Sequence, residues 1–385
     1  MAQRSDIVVI GGGIIGLAVA RRLCLSGSAV TVLEQHRTGR GASWAAAGML
    51  APHCEFDEAD DPYFVLCRTG LERYAGFIDA LREETGCSID YNSTGMIYPA
   101  LSDRGQARLE TRYDRHRRDG VPVERLTVRE ARRLEPNLSN RIHMALRYPA
   151  DHQVENRDVV TALARSVRLH GGVVREGVTA RKIVLDGLRV AGVDTTDGLW
   201  NAKTVVIAMG CRARYLDGVS PAHRIPVRPV RGQILALRAG AVPPFRHTIF
   251  TSEVYLVPRS DGRLIVGATV EEAGFRNEVT LGGVLRLFRG ALELAPGLES
   301  CPLESTWSGL RPVARDGWPV LGATGTPGLF AATGHGRNGI LLAPLTGDLI
   351  AEAILHDKVP TVMRPFLPDR FYPAGTGETK DDRNR

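Results

Sequence analysis

The 385-residue sequence has no run of 18 consecutive apolar residues, so no membrane span is expected. It has no Cys-x-x-Cys pair. None of its six cysteines (Cys24, Cys54, Cys67, Cys87, Cys211, Cys301) stands at metal-ligand spacing from a histidine. That pattern predicts reduced, mostly buried thiols, a cytoplasmic setting and no metal site. The early apolar run at 7–20 has no basic lead and no clear cleavage site, and it contains four glycines, so it does not read as a signal peptide. Long repeats are missing as well. Charge of one sign is not in large excess, since 49 basic against 43 acidic residues leave +6. The arginine cluster at 112–118 reads as a solvated helix face, and no nucleic-acid partner is expected. The mild basic surplus favours anionic small molecules without naming one.

What remains is the composition of an ordinary globular protein, 43% hydrophobic and 24% charged, at a length that suits two interleaved domains. The first chemistry-bearing motif comes at once. Asp6-Ile7-Val8-Val9-Ile10 is a buried-strand pattern, and Gly11-Gly12-Gly13-Ile14-Ile15-Gly16 follows it. Residues 17–26 have helical composition, Gly27 is a helix stop, and 29–33 form a second strand ending on Glu34. This is β-α-β with GxGxxG at its first turn and an acid 18 residues past the last glycine. Gly11 permits the tight turn, Gly13 lets a pyrophosphate approach the backbone, and Gly16 lets helix and strand pack closely. The helix N-terminus offers N–H groups and a positive dipole end to phosphates. Glu34 suits ribose hydroxyls and would repel a 2′-phosphate, which argues against NADP. The small-residue run at 39–48, with Met49 after it, then reads as a wall against the rest of the dinucleotide.

The middle of the chain is less informative. Helical patterns are expected at 62–85, 103–118, 127–134 and 157–170, and strands at 91–98 and 173–174. Val178 places its backbone at an adenine or is a plain core valine; both readings stand. Residues 202–210 are a buried strand closing on Gly210, a place from which many dinucleotide proteins reach their cofactor. From 226 to 268 the pattern changes to alternating strands with Gly and Pro turns. Val254-Tyr255-Leu256-Val257-Pro258 and Leu264-Ile265-Val266-Gly267 form a hairpin around Ser260-Asp261-Gly262. This second pattern predicts an antiparallel substrate domain inserted into the first. Near the end, Gly309-Leu310-Arg311-Pro312 precedes a strand at 328–333, and Gly334-His335-Gly336-Arg337-Asn338-Gly339 opens a helix at 340–355.

These segments, with Ala45-Ala46-Ala47-Gly48-Met49-Leu50, Tyr255-Leu256-Val257-Pro258-Arg259 and Gly267-Ala268-Thr269, make the chain resemble the glycine oxidase (ThiO) family. That family lies within the D-amino acid oxidase superfamily, and the resemblance covers residue 6 to about residue 360. It implies an α/β fold: an FAD-binding Rossmann-type (GR2-like) domain with an interleaved antiparallel-sheet substrate domain. The expected division gives 1–90, 150–225 and 309–370 to the FAD-binding domain. It gives 91–149 and 226–308 to the substrate domain and leaves 374–385 as a disordered tail. Noncovalent FAD is implied, with a small amino-acid substrate and O2 as partners and a homotetramer as the assembly. Glycine is implied as a good substrate beside sarcosine or D-amino acids, with a place in making the thiazole of thiamine.

Roles carry over from the resemblance position by position. Arg311 clamps the substrate carboxylate, Tyr255 donates its hydroxyl to it, and Arg337 and Met49 line the site beside substrate and flavin. FAD contacts are implied for Ile14, Ile15, Glu34, Gln35, Ala42, Ser43, Ala47, Gly48, Met49 and Val178. They are implied also for the turn His335, Gly336, Arg337, Asn338, Gly339, Ile340 and Leu341. His335 itself reads as a satisfied turn histidine rather than a base. The chain departs from the family at Val270, where relatives often carry Met, and at Glu253, where a neutral residue or His would be less surprising; both are expected to alter the pocket. The mechanism that follows is hydride loss from the α-carbon of a neutral amine, giving an imino acid that hydrolyses to an oxo acid and ammonia, with peroxide from oxygen. Three rivals remain: a sarcosine-oxidase-like enzyme with covalent FAD, an amino-acid dehydrogenase, and a tRNA-modifying flavoprotein module. The first usually needs a Cys near Arg311, and Cys301 lies ten residues earlier.

Overall fold

The computed structural model describes residues 3–238, 240 and 244–372. The tail expected to be disordered, 374–385, lies outside the described residues.

The opening strand Ile7–Ile10 is buried throughout, because helices pack on one face of its sheet and a four-stranded sheet carrying Ile183, Val193 and Trp200 packs on the other. It belongs to a six-stranded sheet in the order Val173–Glu176, Val30–Glu34, Ile7–Ile10, Thr204–Ile207, Leu329–Thr333, Val320–Ala323. Every neighbouring pair is parallel except the last. The helices Ile14–Leu25, Asn156–Leu169 and Gly339–His356 join Val9, Val32 and Val206 of this sheet in one apolar core. Each fully buried aliphatic side chain there contributes about 1.5–3 kcal/mol. A Cβ on Gly347 would lie 2.8 Å from the Ala18 carbonyl oxygen, so the last helix crosses the first at a distance only glycine allows. Gly339–His356 has 18 residues and is apolar enough to cross a membrane, but 67% of it is buried inside the protein. Its place in the core accounts for its composition.

The second sheet has eight strands in the order Leu303–Ala314, Val227–Arg238, Arg263–Gly267, Tyr255–Pro258, Thr248–Phe250, Met96–Ala100, Met144–Tyr148, Glu124–Leu126. It is antiparallel except where Thr248–Phe250 runs parallel to Met96–Ala100, a pairing of two distant chain segments that the sequence pattern did not announce. Helix Leu281–Leu294 covers one face, its start capped by the Thr280 hydroxyl, which accepts from Gly283 N–H at 3.2 Å. A small sheet of Met49–Leu50, His152–Val154 and Tyr91–Asn92 lies between the two large ones.

Local readings shift in three places. The helical stretch at 62–85 is two helices, Pro62–Glu72 and Tyr74–Thr85. The strand expected at 91–98 is divided between two sheets, because Gly95 turns the chain with φ 97°. The domain division expected between 308 and 309 falls inside the strand Leu303–Ala314, which is paired with Val227–Arg238 along its length.

Candidate active site

The first glycine turn is built around two close approaches. Gly11 has φ 113°, and a Cβ there would meet the Ala208 carbonyl oxygen at 2.4 Å. A Cβ on Gly16 would lie 1.9 Å from the Gly11 carbonyl oxygen, so this glycine packs helix against turn and does not itself line the cavity beyond. Glu34 closes the turn from the next strand. Its carboxylate accepts from Gly12 N–H at 2.8 Å and from His36 N–H at 2.9 Å. The Ser43 hydroxyl accepts from Ile14 N–H at 2.9 Å, so the small-residue run is tied to the helix start. Val178 N–H is engaged by the Glu34 carbonyl at 2.9 Å.

A continuous cavity of about 850 Å³ leads from this turn to the second sheet. At the turn end it is walled by Gly11, Gly13, Ile14, Ile15, Glu34, Gln35, Ala42, Ser43, Val178 and Gly210. Ala47, Gly48 and Met49 line its middle, and His335, Gly336, Arg337, Asn338, Gly339 and Ile340 line it from the last helix. Leu341 was expected among the cofactor contacts but lies outside the cavity. One residue further around the helix from Ile340, it points into the core and is fully buried.

The wall at 42–49 is held by groups from far away in sequence. Asn156 Nδ2 donates to the Ser43 carbonyl at 2.6 Å, and Trp307 Nε1 donates to the Ala45 carbonyl at 3.1 Å. Gly309 makes room for Ala45, since a Cβ on it would lie 2.4 Å from that of Ala45. Arg259 is almost wholly buried and donates to the carbonyls of Ala47 at 2.7 Å and Val154 at 2.9 Å. Burial lowers the Arg259 pKa, with Glu155 opposing that shift.

At the other end the second sheet delivers the polar groups. Arg311 sits diagonally across the strand pair from Gly232, and a Cβ on Gly232 would come within 2.3 Å of the guanidinium. Its NH1 donates to the Thr269 carbonyl at 3.1 Å. Tyr255 pairs with Gly267, whose missing side chain leaves room for the phenol: a Cβ there would lie 2.5 Å from the hydroxyl. Burial pushes the Tyr255 hydroxyl up to about 12, with Arg311 pulling it down and Glu55 pushing it up. Tyr255 therefore acts as a neutral donor beside a cation.

Arg337 comes from the turn before the last helix. That turn is fastened by Tyr63, whose hydroxyl donates to the His335 carbonyl at 3.0 Å and accepts from Asn338 Nδ2 at 3.2 Å. His335 is buried, shares a 3.0 Å contact between Nε2 and the Thr346 hydroxyl, and is pushed by burial down to about 3. It is a neutral structural ring. The Arg337 guanidinium, 59% exposed, forms an ion pair with the Glu55 carboxylate, 4% exposed, at 2.9 Å between Nε and Oε2. Burial raises the Glu55 pKa against the pull of Arg337, and Glu55 is the chief cause of the raised pKa of Arg337. Glu55 and Tyr63 escaped the sequence reading, because neither falls in a motif or on a periodic face.

The residues fit an elongated dinucleotide. Glycines press backbone against one end, the ribose-type acid stands where it was expected, and the helix starts at Ile14 and Gly339 aim their positive ends at the cavity. The chain matches, over residues 6–353, the model of the family described as FAD dependent oxidoreductase. It belongs to that family. The chain is an FAD-dependent enzyme with the fold expected of one. Among relatives, it is 36% identical to glycine oxidase of Geobacillus kaustophilus over 95% of this chain and 97% of that one. It is 37% identical to the bifunctional protein ThiO/ThiG of Synechocystis sp. over 96% of this chain, and it spans only 55% of that longer protein. The solved glycine oxidase of Geobacillus kaustophilus superposes with a TM-score of 0.91, at 36% identity, covering 96% of this chain and 99% of that one. Iminodiacetate oxidase from Chelativorans sp. BNC1 superposes with a TM-score of 0.85, at 28% identity, covering 94% and 98%.

Proposed function

We propose that the protein oxidises glycine, and small relatives such as sarcosine or D-amino acids, to an oxo acid, hydrogen peroxide and the corresponding amine, which is ammonia from glycine and D-amino acids and methylamine from sarcosine. The convergence of Arg311, Tyr255 and Arg337 on one cavity end carries this reading. The overall balance is glycine, water and O2 to glyoxylate, ammonia and H2O2. FAD supplies the two-electron acceptor, held by Gly11, Gly13, Glu34, Ser43, Met49 and the 335–340 turn. Arg311 takes the substrate carboxylate in a bidentate fork, and Gly232 leaves the space that lets the fork lie flat. Tyr255, held protonated, donates its hydroxyl to the same carboxylate. These contacts fix the α-carbon, so orientation replaces part of the activation barrier. Binding beside two guanidiniums favours the species with a charged carboxylate and a neutral amine, from which hydride can leave without a protein base. His335 takes no proton in this scheme.

In the cell this reaction supplies the thiazole step of thiamine synthesis, acting in the cytoplasm as a homotetramer. The deciding experiment adds glycine, sarcosine and D-alanine to the yellow protein without oxygen. Bleaching by glycine, with peroxide on readmitting air, is the expected result. Bleaching only by larger D-amino acids would move the substrate, and no bleaching by any amine would remove Arg311 from the role given to it.

A further inference from the structure

Glu55 closes the short turn Pro52–Glu55, and its carboxylate lines the cavity although it is 4% exposed. Its Oε2 lies 2.9 Å from Arg337 Nε without the alignment of a hydrogen bond. A buried carboxylate so thinly satisfied is costly, and structures keep such groups in place only by force from around them. Here the force is visible. Asp151, fully buried and outside the cavity, accepts from the backbone N–H of His53 at 3.1 Å and of Cys54 at 2.7 Å. It also contacts His53 Nδ1 at 2.7 Å. From the other side Arg112 donates to the carbonyls of Cys54 at 2.7 Å and Phe56 at 2.6 Å. The backbone on both sides of Glu55 is pinned, which holds the base of its side chain against the cavity.

Several charges line this end. Arg112 is matched by Asp57 at 2.8 Å and Arg228 by Glu272, while Arg108 donates to the Tyr98 hydroxyl at 3.1 Å. Arg311 and Arg337 face the cavity with Glu55 set against them. One substrate carboxylate on Arg311, beside the Arg337–Glu55 pair, leaves no unpaired cation among these three for a second. A second carboxylate on the substrate would face Glu55 at short range in a site of low dielectric, where like charges repel strongly. We propose that Glu55 is a specificity-determining residue that admits amino monocarboxylates and turns away amino dicarboxylates. Asp151 and Arg112 serve it as positioning residues. The inference rests on the reading of Arg311 and Arg337 as substrate-facing groups.

The test uses the flavin-loaded wild type, Glu55→Gln and Glu55→Asp. Acetate and malonate serve as unreactive probes, titrated by their perturbation of the flavin absorbance; glycine and iminodiacetate serve as substrates. In Glu55→Gln the malonate-to-acetate affinity ratio should rise at least tenfold, with a parallel rise in the iminodiacetate-to-glycine ratio of kcat/KM. Glu55→Asp should keep the wild-type ratios. An unchanged ratio in Glu55→Gln, with both probes weakened together, would mean that Glu55 only props Arg337, and the proposal would fall. Should Glu55→Gln not hold flavin, the wild type decides, since it must bind malonate at least tenfold more weakly than acetate; equal or tighter malonate binding overturns the proposal. Failure of the glycine reading shows separately, as a wild-type flavin that glycine does not bleach while the acetate and malonate titrations still report on Glu55.

Discussion

The two ends of the cavity are built by different means. The nucleotide end is made of backbone: glycines whose side chains have no room, a strand-turn-helix of contiguous residues, and one acid a strand away. The substrate end is made of side chains from separate segments, with Glu55, Tyr255, Arg311 and Arg337 each from a different element. A backbone cradle is a local property and leaves a short, spaced signature. A side-chain constellation is a tertiary property, and its members are scattered by hundreds of residues. On the reading proposed above, the first end holds the cofactor and the second selects what is oxidised.

If the two ends are separable, damage to one should spare the other. Arg311→Ala should lower kcat/KM for glycine by several tens to several thousand-fold, about 2–5 kcal/mol of transition-state stabilisation, through loss of a half-buried charge partner. The variant should still purify yellow; steady-state kinetics and the visible spectrum check both halves, and a colourless protein would break the separation. Gly16→Ala should do the reverse. A Cβ only 1.9 Å from the Gly11 carbonyl forces the turn apart, at about 1–3 kcal/mol, and the outcome to measure is a lowered thermal midpoint with less retained flavin.

The joint between the ends has its own signature. His335 has a folded pKa of about 3 against 6.5 for the free ring, so between those values the unfolded chain binds more protons. Its contribution is therefore complete above pH 6.5 and is lost as the pH falls toward 3. The slope should approach about 1.4 kcal/mol per pH unit. Denaturant titrations from pH 7 to 4 on wild type and His335→Asn check this: the variant should show the shallower loss, and identical slopes would exclude His335 as the source. The smallest effect is expected at the seam. Trp307→Phe removes the N–H bond to the Ala45 carbonyl and should cost about 1 kcal/mol of stability, read by chemical denaturation.

Legibility in the sequence follows the same division. The β-α-β opening and its acid stand where the glycine spacing put them, and helix Asp103–Arg118 matches its predicted span. Gly95 hid a change of sheet, because a single glycine inside an apolar stretch carries no sign of which partner each half will take. Leu341 was assigned to the cofactor through its motif, but a rotation of about 100° per residue takes it to the core side. Tyr63 could not be found at all, since it meets His335 across 272 residues of chain. Asp151 and Arg112 act on Glu55 only through the backbone of the turn between them, an arrangement with no local pattern.

The strand Leu303–Ala314 has a consequence for tolerance. Trp307 and Gly309 on it touch the wall at Ala45, and Arg311 two residues on faces the substrate end. An extended chain advances about 3.3 Å per residue, so about 7 Å of covalent backbone separates the wall contact from the carboxylate fork. The spacing between the wall contact at Gly309 and the guanidinium at Arg311 is thus set by two peptide units of one strand. Loss of the Trp307 and Gly309 contacts to Ala45 would therefore release the wall from this spacing.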